Sequence, residues 1–123
     1  MTAIASVKFP EKVFLHGEYA QLQLAGKSVA VNHFHHIAED LAASGRYEWV
    51  FYGHNHLAAD RLVSGGEGHT RLLNPGTLMG MALGPDGPYR VPPTAAVVDL
   101  DTQSVSWVQV DPYGSAVTPW ELS

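Results

Sequence analysis

The 123-residue chain contains no cysteine, which excludes disulfides, thiolate zinc sites and cysteine nucleophiles. Basic residues are scarce as well. Seven Lys and Arg stand against twelve Asp and Glu, a formal net charge of −5 with histidine neutral, and no basic run occurs. A surface that binds nucleic acid by neutralising phosphates is therefore not expected. No apolar run approaches the roughly 20 residues of a membrane span, so no membrane partner is expected. The first nine residues lack the long apolar stretch of a secretion signal. A cytoplasmic location fits these absences. The hydrophobic share of 46% suits a globular fold rather than a disordered segment. The length suffices for one compact domain and is too short for two.

Apolar spacing predicts the elements. Val13, Leu15, Leu22 and Leu24 recur with a period of about two on either side of His16-Gly17, which reads as strand, turn, strand. Ala25-Gly26-Lys27 suits a tight turn, and residues 28–31 a short buried strand. Between 36 and 44 the period changes. Ile37 and Leu41, and Ala38 and Ala42, fall at i, i+4 on one face of a short helix that Gly45 is placed to stop. Residues 49–52 then read as a buried strand. A strand, a helix and a strand with short joints form a βαβ unit, whose two strands run parallel. Residues 59–63 and 70–73 flank a glycine-rich turn and predict a hairpin. Asn74-Pro75-Gly76 is a further turn. Residues 84–93, rich in Pro and Gly, read as a loop. A second hairpin is expected from 95–100 and 105–110, and the tail from Pro112 reads as loosely ordered. Residues 1–11 read as irregular. The fold class is thus α/β, with a mixed sheet, one βαβ unit and C-terminal hairpins.

Histidine is what the chain has in excess. Five of the seven lie in two short motifs, Asn32-His33-Phe34-His35-His36 and Gly53-His54-Asn55-His56, each directly after a predicted strand. If those strands are parallel neighbours, both motifs share the carboxyl edge of the sheet, where α/β proteins place ligand sites. Neutral imidazole is a good ligand for zinc, manganese, iron and nickel. His33, His54 and His56 are the candidate metal ligands. In an extended segment His54 and His56 would point to one side, and in a loop they would splay toward two ions. Residues 49–52 would form an apolar floor beneath the rings. His35 stays open between a surface role and a role at the site. His36 reads as the opening of the helix, and His16 and His69 as surface histidines. Asp40, Asp60 and Asp99 read as helix face, hairpin surface and turn.

The order of these pieces resembles the calcineurin-like metallophosphoesterases, in particular the small bacterial and archaeal phosphodiesterase subfamily that also includes the scaffold subunit of retromer. Gly53-His54-Asn55-His56 matches the family's Gly-His-[Thr/Asn]-His, and Leu73-Asn74-Pro75-Gly76-Thr77 its Asn-Pro-Gly-[Ser/Thr] turn. The resemblance covers about residues 10–110. It implies a sandwich of mixed sheets and a site in which two divalent ions clamp a phosphoester. His33 and His54 would hold one ion and His56 the other, with manganese favoured among Mn, Zn, Fe and Ni. His35 would stand near the substrate as a catalytic group. Gly53, Asn74 and Gly76 would be structural turn residues beside the site. The family's Asp-x-His, Gly-Asp and Gly-Asn-His-[Asp/Glu] motifs do not occur in this sequence. The resemblance therefore implies the C-terminal half of such a domain, weak or inactive by itself. Two partners are expected: a phosphoester substrate, and a second copy or a separate N-terminal half. A non-catalytic binding or scaffold module of the same fold, or a truncated gene product, is the alternative.

Overall fold

The computed structural model describes residues 13–15, 19–66, 68–111 and 116–122. The strands are β1 Val13–Leu15, β2 Ala20–Leu24, β3 Lys27–Val31, β4 Trp49–Phe51, β5 Ala59–Gly65, β6 Gly68–Asn74, β7 Met81–Gly84, β8 Gly87–Arg90, β9 Thr94–Asp99, β10 Ser104–Val110 and β11 Val117–Trp120, with one described helix, α1, at His35–Ala43. The turn at His16-Gly17, His16 itself and residues 1–11 lie outside the described residues.

The largest sheet is mixed, in the order β1-β2-β3-β4-β6-β5. Its middle is parallel: β3 pairs with β4, and β4 with β6. The βαβ reading of β3, α1 and β4 thus matches the structure. β9, β10 and β11 form a separate antiparallel sheet, and β7 pairs with β8. Two local readings need correction. The stretch 84–93 is not all loop, because Gly84 and Gly87 close a tight β7–β8 hairpin. The tail is not all loose either, because Val117–Trp120 pairs along β10. Four residues with one Pro carry too little alternation to announce an edge strand, and only the partner strand defines it.

Strand alternation sends neighbouring side chains to opposite faces and builds two apolar layers. On one face, Ala30, Val50 and Leu72 meet Ala38, Leu41 and Ala42 of α1, with Tyr47 closing the end. On the other, Val29, Trp49 and Leu73 pack against Ala96, Val98, Leu100, Val105 and Trp107 from the β9–β10 sheet and its turn. The helix begins one residue earlier than its apolar spacing suggests. Phe34, at the N-cap, offers no side-chain acceptor to the first turn, and its own amide donates back to Asn32 Oδ1 at 2.7 Å. It ends as expected, with Gly45 at φ +71° and its amide bonded to the Ala42 carbonyl. No helix among the described residues is long and apolar enough to cross a membrane.

Candidate metal centre

The parallel run β3, β4, β6 ends at Val31, Phe51 and Asn74, so the two histidine motifs and the Asn-Pro-Gly turn emerge together at one edge. Backbone bonds stitch their first residues to one another. Asn32 donates to the Phe51 carbonyl at 3.0 Å, Gly53 to the His33 carbonyl at 3.1 Å, and Tyr52 to the Leu73 carbonyl at 3.0 Å. Asn74, fully buried, holds the second motif from below. Its Nδ2 donates to the Gly53 carbonyl at 3.2 Å and to Asn55 Oδ1 at 2.7 Å, while its Oδ1 accepts from the Gly76 amide at 2.9 Å. Asn55 Oδ1 also accepts from the Leu57 amide at 3.1 Å, which closes the loop beyond His56. Gly76 turns the chain at φ +87°, and a Cβ there would run into the Thr94 side chain. An amide side chain supplies both donors and an acceptor, so one buried residue can lock two loops.

This scaffold fixes where the rings go. His33 and His54 lie with ring centres 5.3 Å apart and planes at 85°. Two imidazoles that share a tetrahedral ion at about 2.0–2.1 Å from each ligating nitrogen have centres about 5 Å apart, so this pair fits one ion. Gly53 lies against this pair: a Cβ there would make an ordinary contact with His33 Nδ1, at 3.6 Å. His35 stacks on His54 at 5.8 Å with planes 22° apart. His35 is thus a near neighbour of the pair, placed there by the first turn of α1. His36 contacts His35 at 5.7 Å on the exposed start of α1. Phe34, which sequence reasoning passed over, lies 5.0 Å from both His33 and His54. Its position inside the histidine motif was the available signal. Phe34 is an aromatic surface against both rings, whereas Trp49, expected beneath them, packs in the core with Val29 and Leu73.

The second motif is not extended. His54 and His56 have φ of +68° and +62°, a left-handed conformation uncommon outside glycine. Their rings consequently part company. His54 joins His33, whereas His56 turns to the Met81 carbonyl, 2.7 Å from its Nδ1. The segment is therefore a loop and not the extended alternative, with the two rings held by different neighbours. Two backbones in this region within four residues are local strain of the kind that surrounds functional sites.

Among the described residues no carboxylate completes a metal-holding group with these histidines. Asp60 forms a two-pronged ion pair with Arg71, at 3.0 and 2.6 Å, and the Arg71 guanidinium lies over the Trp49 ring at 4.9 Å. Asp99 accepts from the amides of Asp101 and Thr102 in the β9–β10 turn, the turn role expected of it. Asp40 is on the exposed face of α1, and His69 is paired with Ser64 at 2.9 Å across β5–β6. Among the described residues no three His, Asp or Glu side chains converge to hold an ion. The described residues thus offer imidazole donors alone, a pair at His33 and His54 and His56 apart from it, which would suit part of a metal centre and not a complete one.

Comparison with known proteins agrees with this architecture. Over most of its length the chain is similar in fold to Vps29 of Entamoeba histolytica in complex with zinc, with a TM-score of 0.56, 19% identity, and coverage of 87% of this chain and 62% of that one. Vacuolar protein sorting 29 of Cryptosporidium parvum gives a TM-score of 0.55 and 21% identity, covering 86% of this chain and 57% of that one. The chain therefore spans about three fifths of the length of these structures. No curated protein matches it. The calcineurin-like phosphoesterase superfamily domain matches residues 6–103, and with both of its histidine loops and its Asn-Pro-Gly turn in that span, the chain belongs to the calcineurin-like phosphoesterase superfamily.

Proposed function

We propose that this chain supplies the imidazole ligands of a metal-dependent phosphoesterase site, His33 and His54 for one divalent ion and His56 for a second. The observation that carries the reading is the 5.3 Å approach of the His33 and His54 rings at the carboxyl edge of the parallel strands. Bound divalent ions supply Lewis-acid polarisation of a phosphoryl oxygen and charge neutralisation. The protein's own contribution is orientation. Asn74 holds the Gly53–His56 loop, and the Gly53 amide ties that loop to the His33 carbonyl. His35 is exposed beside His54, where it can hold a proton for a leaving oxygen. Zinc in a similar fold and the all-nitrogen donor set favour a borderline transition metal such as zinc over a hard cation, and manganese is the family-based alternative.

The missing carboxylates limit what the chain does alone. With one ion held by two rings and the other by one, binding should be weak and hydrolysis weak or absent until further donors arrive from a second polypeptide segment. The test is hydrolysis of bis-p-nitrophenyl phosphate with manganese or zinc, together with metal titration. Weak metal binding that disappears in His33→Ala and His54→Ala supports the reading. Metal binding indifferent to both substitutions overturns it, and robust turnover by the 123-residue chain overturns the argument from the incomplete donor set.

A second reading is a binding module without catalysis. It is favoured by the incomplete donor set together with the exposed apolar side chains Leu78, Met79 and Leu83, each about two-thirds exposed or more, on and before the β7–β8 hairpin. A mass above that of the monomer, lost when Met79 and Leu83 are both changed to Ser, would support it.

A further inference from the structure

The two histidines of the Gly53–His56 loop are held differently. His54 packs among rings, whereas His56 is tied to a segment 25 positions away, with its Nδ1 2.7 Å from the carbonyl of Met81, the first residue of β7. A carbonyl oxygen only accepts hydrogen bonds, so the ring proton belongs on Nδ1. In the neutral ring Nε2 is then the nitrogen with a free lone pair. The carbonyl is itself fixed in place. Gly80 turns the chain into β7 at φ +72°. The Val91 amide donates to the Gly80 carbonyl at 3.1 Å, and Met81 stands opposite Arg90 in the hairpin. The loop that carries His56 is anchored from the other side by Asn74 through Asn55 at 2.7 Å. His56 is thus clamped between two parts of the fold that share no other role in the histidine cluster.

We infer that the Met81 carbonyl is the positioning group for His56, holding its ring as the Nδ1–H tautomer and presenting Nε2 to the ion that His56 would ligate. This rests on the metal-site reading above and adds which nitrogen binds and what aims it. A ligand imidazole whose second nitrogen donates to a carbonyl has its rotation and tautomer fixed. The β7–β8 hairpin then belongs to the site through its backbone. Its outward side chains, such as Leu83 at 77% exposed, are free to vary, while the geometry at Gly80 is not. A Cβ at Gly80 would meet Pro93 Cγ at 3.3 Å in a conformation that side chains rarely adopt.

Long-range 1H–15N NMR of the metal-free, 15N-labelled chain reads the tautomer of each histidine, with His56 assigned by its loss in His56→Gln. The expected result is an Nδ1–H pattern at His56 in the wild type and in Met81→Ala, which keeps the carbonyl. Gly80→Ala should shift His56 toward Nε2–H. Val91→Pro, which deletes the donor to the Gly80 carbonyl, gives an independent second perturbation with the same expected direction. On addition of zinc, the His56 Nε2 signal should move while Nδ1 stays protonated, and ligation through Nδ1 overturns the inference. An Nε2–H pattern in the metal-free wild type, beside a zinc response at His33 and His54, overturns the inference alone. No zinc response at His33, His54 or His56 overturns the metal-site reading and this inference with it.

Discussion

The layered interior and the histidine rim are built from the same three strands by opposite means. In the interior, Trp49, Val50, Leu72 and Leu73 are at most 1% exposed, and alternation alone assigns each to the helix side or the sheet side. One residue further along, the same strands run into loops, where His33 and His54, and His35 at the start of α1, are exposed, and hydrogen bonds replace burial as the organising force. Hydrophobic packing is non-directional and tolerates volume-conserving change. A rim held by one buried amide, two left-handed histidines and a carbonyl is directional, so it can aim rings but has little redundancy.

Substitutions that strike one region and spare the other sharpen this contrast. The largest effect is expected from Trp49→Ala, which empties the layer between the two sheets and also removes the platform of Arg71. A loss of about 3–5 kcal/mol is expected for a buried aromatic, read as a fall in the urea midpoint, and it should leave the chain partly unfolded at 37 °C. Asn74→Ala comes next. It removes three hydrogen bonds and leaves the Gly53 carbonyl without its side-chain donor, at a cost of about 2–3 kcal/mol, and it should weaken zinc binding even in the molecules that stay folded. If Asn74→Ala lowers stability but leaves zinc affinity unchanged, the rim does not depend on that lock. His33→Ala is the converse case. Stability should move by less than about 0.5 kcal/mol, as for an exposed side chain, while calorimetric zinc affinity falls at least about tenfold, equivalent to about 1.4 kcal/mol.

The smallest effect concerns pH in the interior. Burial pushes the Tyr47 phenol above its ordinary value, and its hydrogen bond with Tyr19 adds to the rise, with nearby Arg46 opposing. Burial likewise raises Tyr52. A raised acid is neutral in the fold at a pH where the unfolded chain has begun to ionise. The unfolded state then binds fewer protons, and stability contributed by the buried phenols is present below about pH 10 and declines as pH rises beyond it. Tyr47→Phe should flatten that alkaline slope in denaturation series between about pH 9 and 11, and an unchanged slope would remove Tyr47 as its source.

Much of the fold was legible because its signals are local. The i, i+4 pairs of Ile37–Leu41 and Ala38–Ala42, the helix stop at Gly45 and the glycine-rich turn between β5 and β6 each announce themselves within a few residues. The β7–β8 hairpin was missed because Pro85, Pro88 and two glycines resemble a loop in composition, and their pairing partner is their own neighbour across a turn. At the candidate site the identity of the two histidine motifs was readable, as was their common edge, since a βαβ unit forces parallel strands. The roles of Phe34 and Met81 were not. A phenylalanine beside histidines carries no periodic signal, and a backbone carbonyl carries no sequence signal at all.

The sequence by itself determined the element order from β1 through β6, the parallel pairing of β3 and β4 and therefore the meeting of His33 with the Gly53–His56 loop, because period, turn chemistry and crossover handedness are properties of the chain over short spans. Only the tertiary structure decided that His54 turns toward His33 while His56 turns to Met81, and that among the described residues no carboxylate completes a group of three with them. Those outcomes depend on φ angles and on hydrogen-bond partners 20 to 25 positions away, supplied by strands whose proximity is a product of the folded layers.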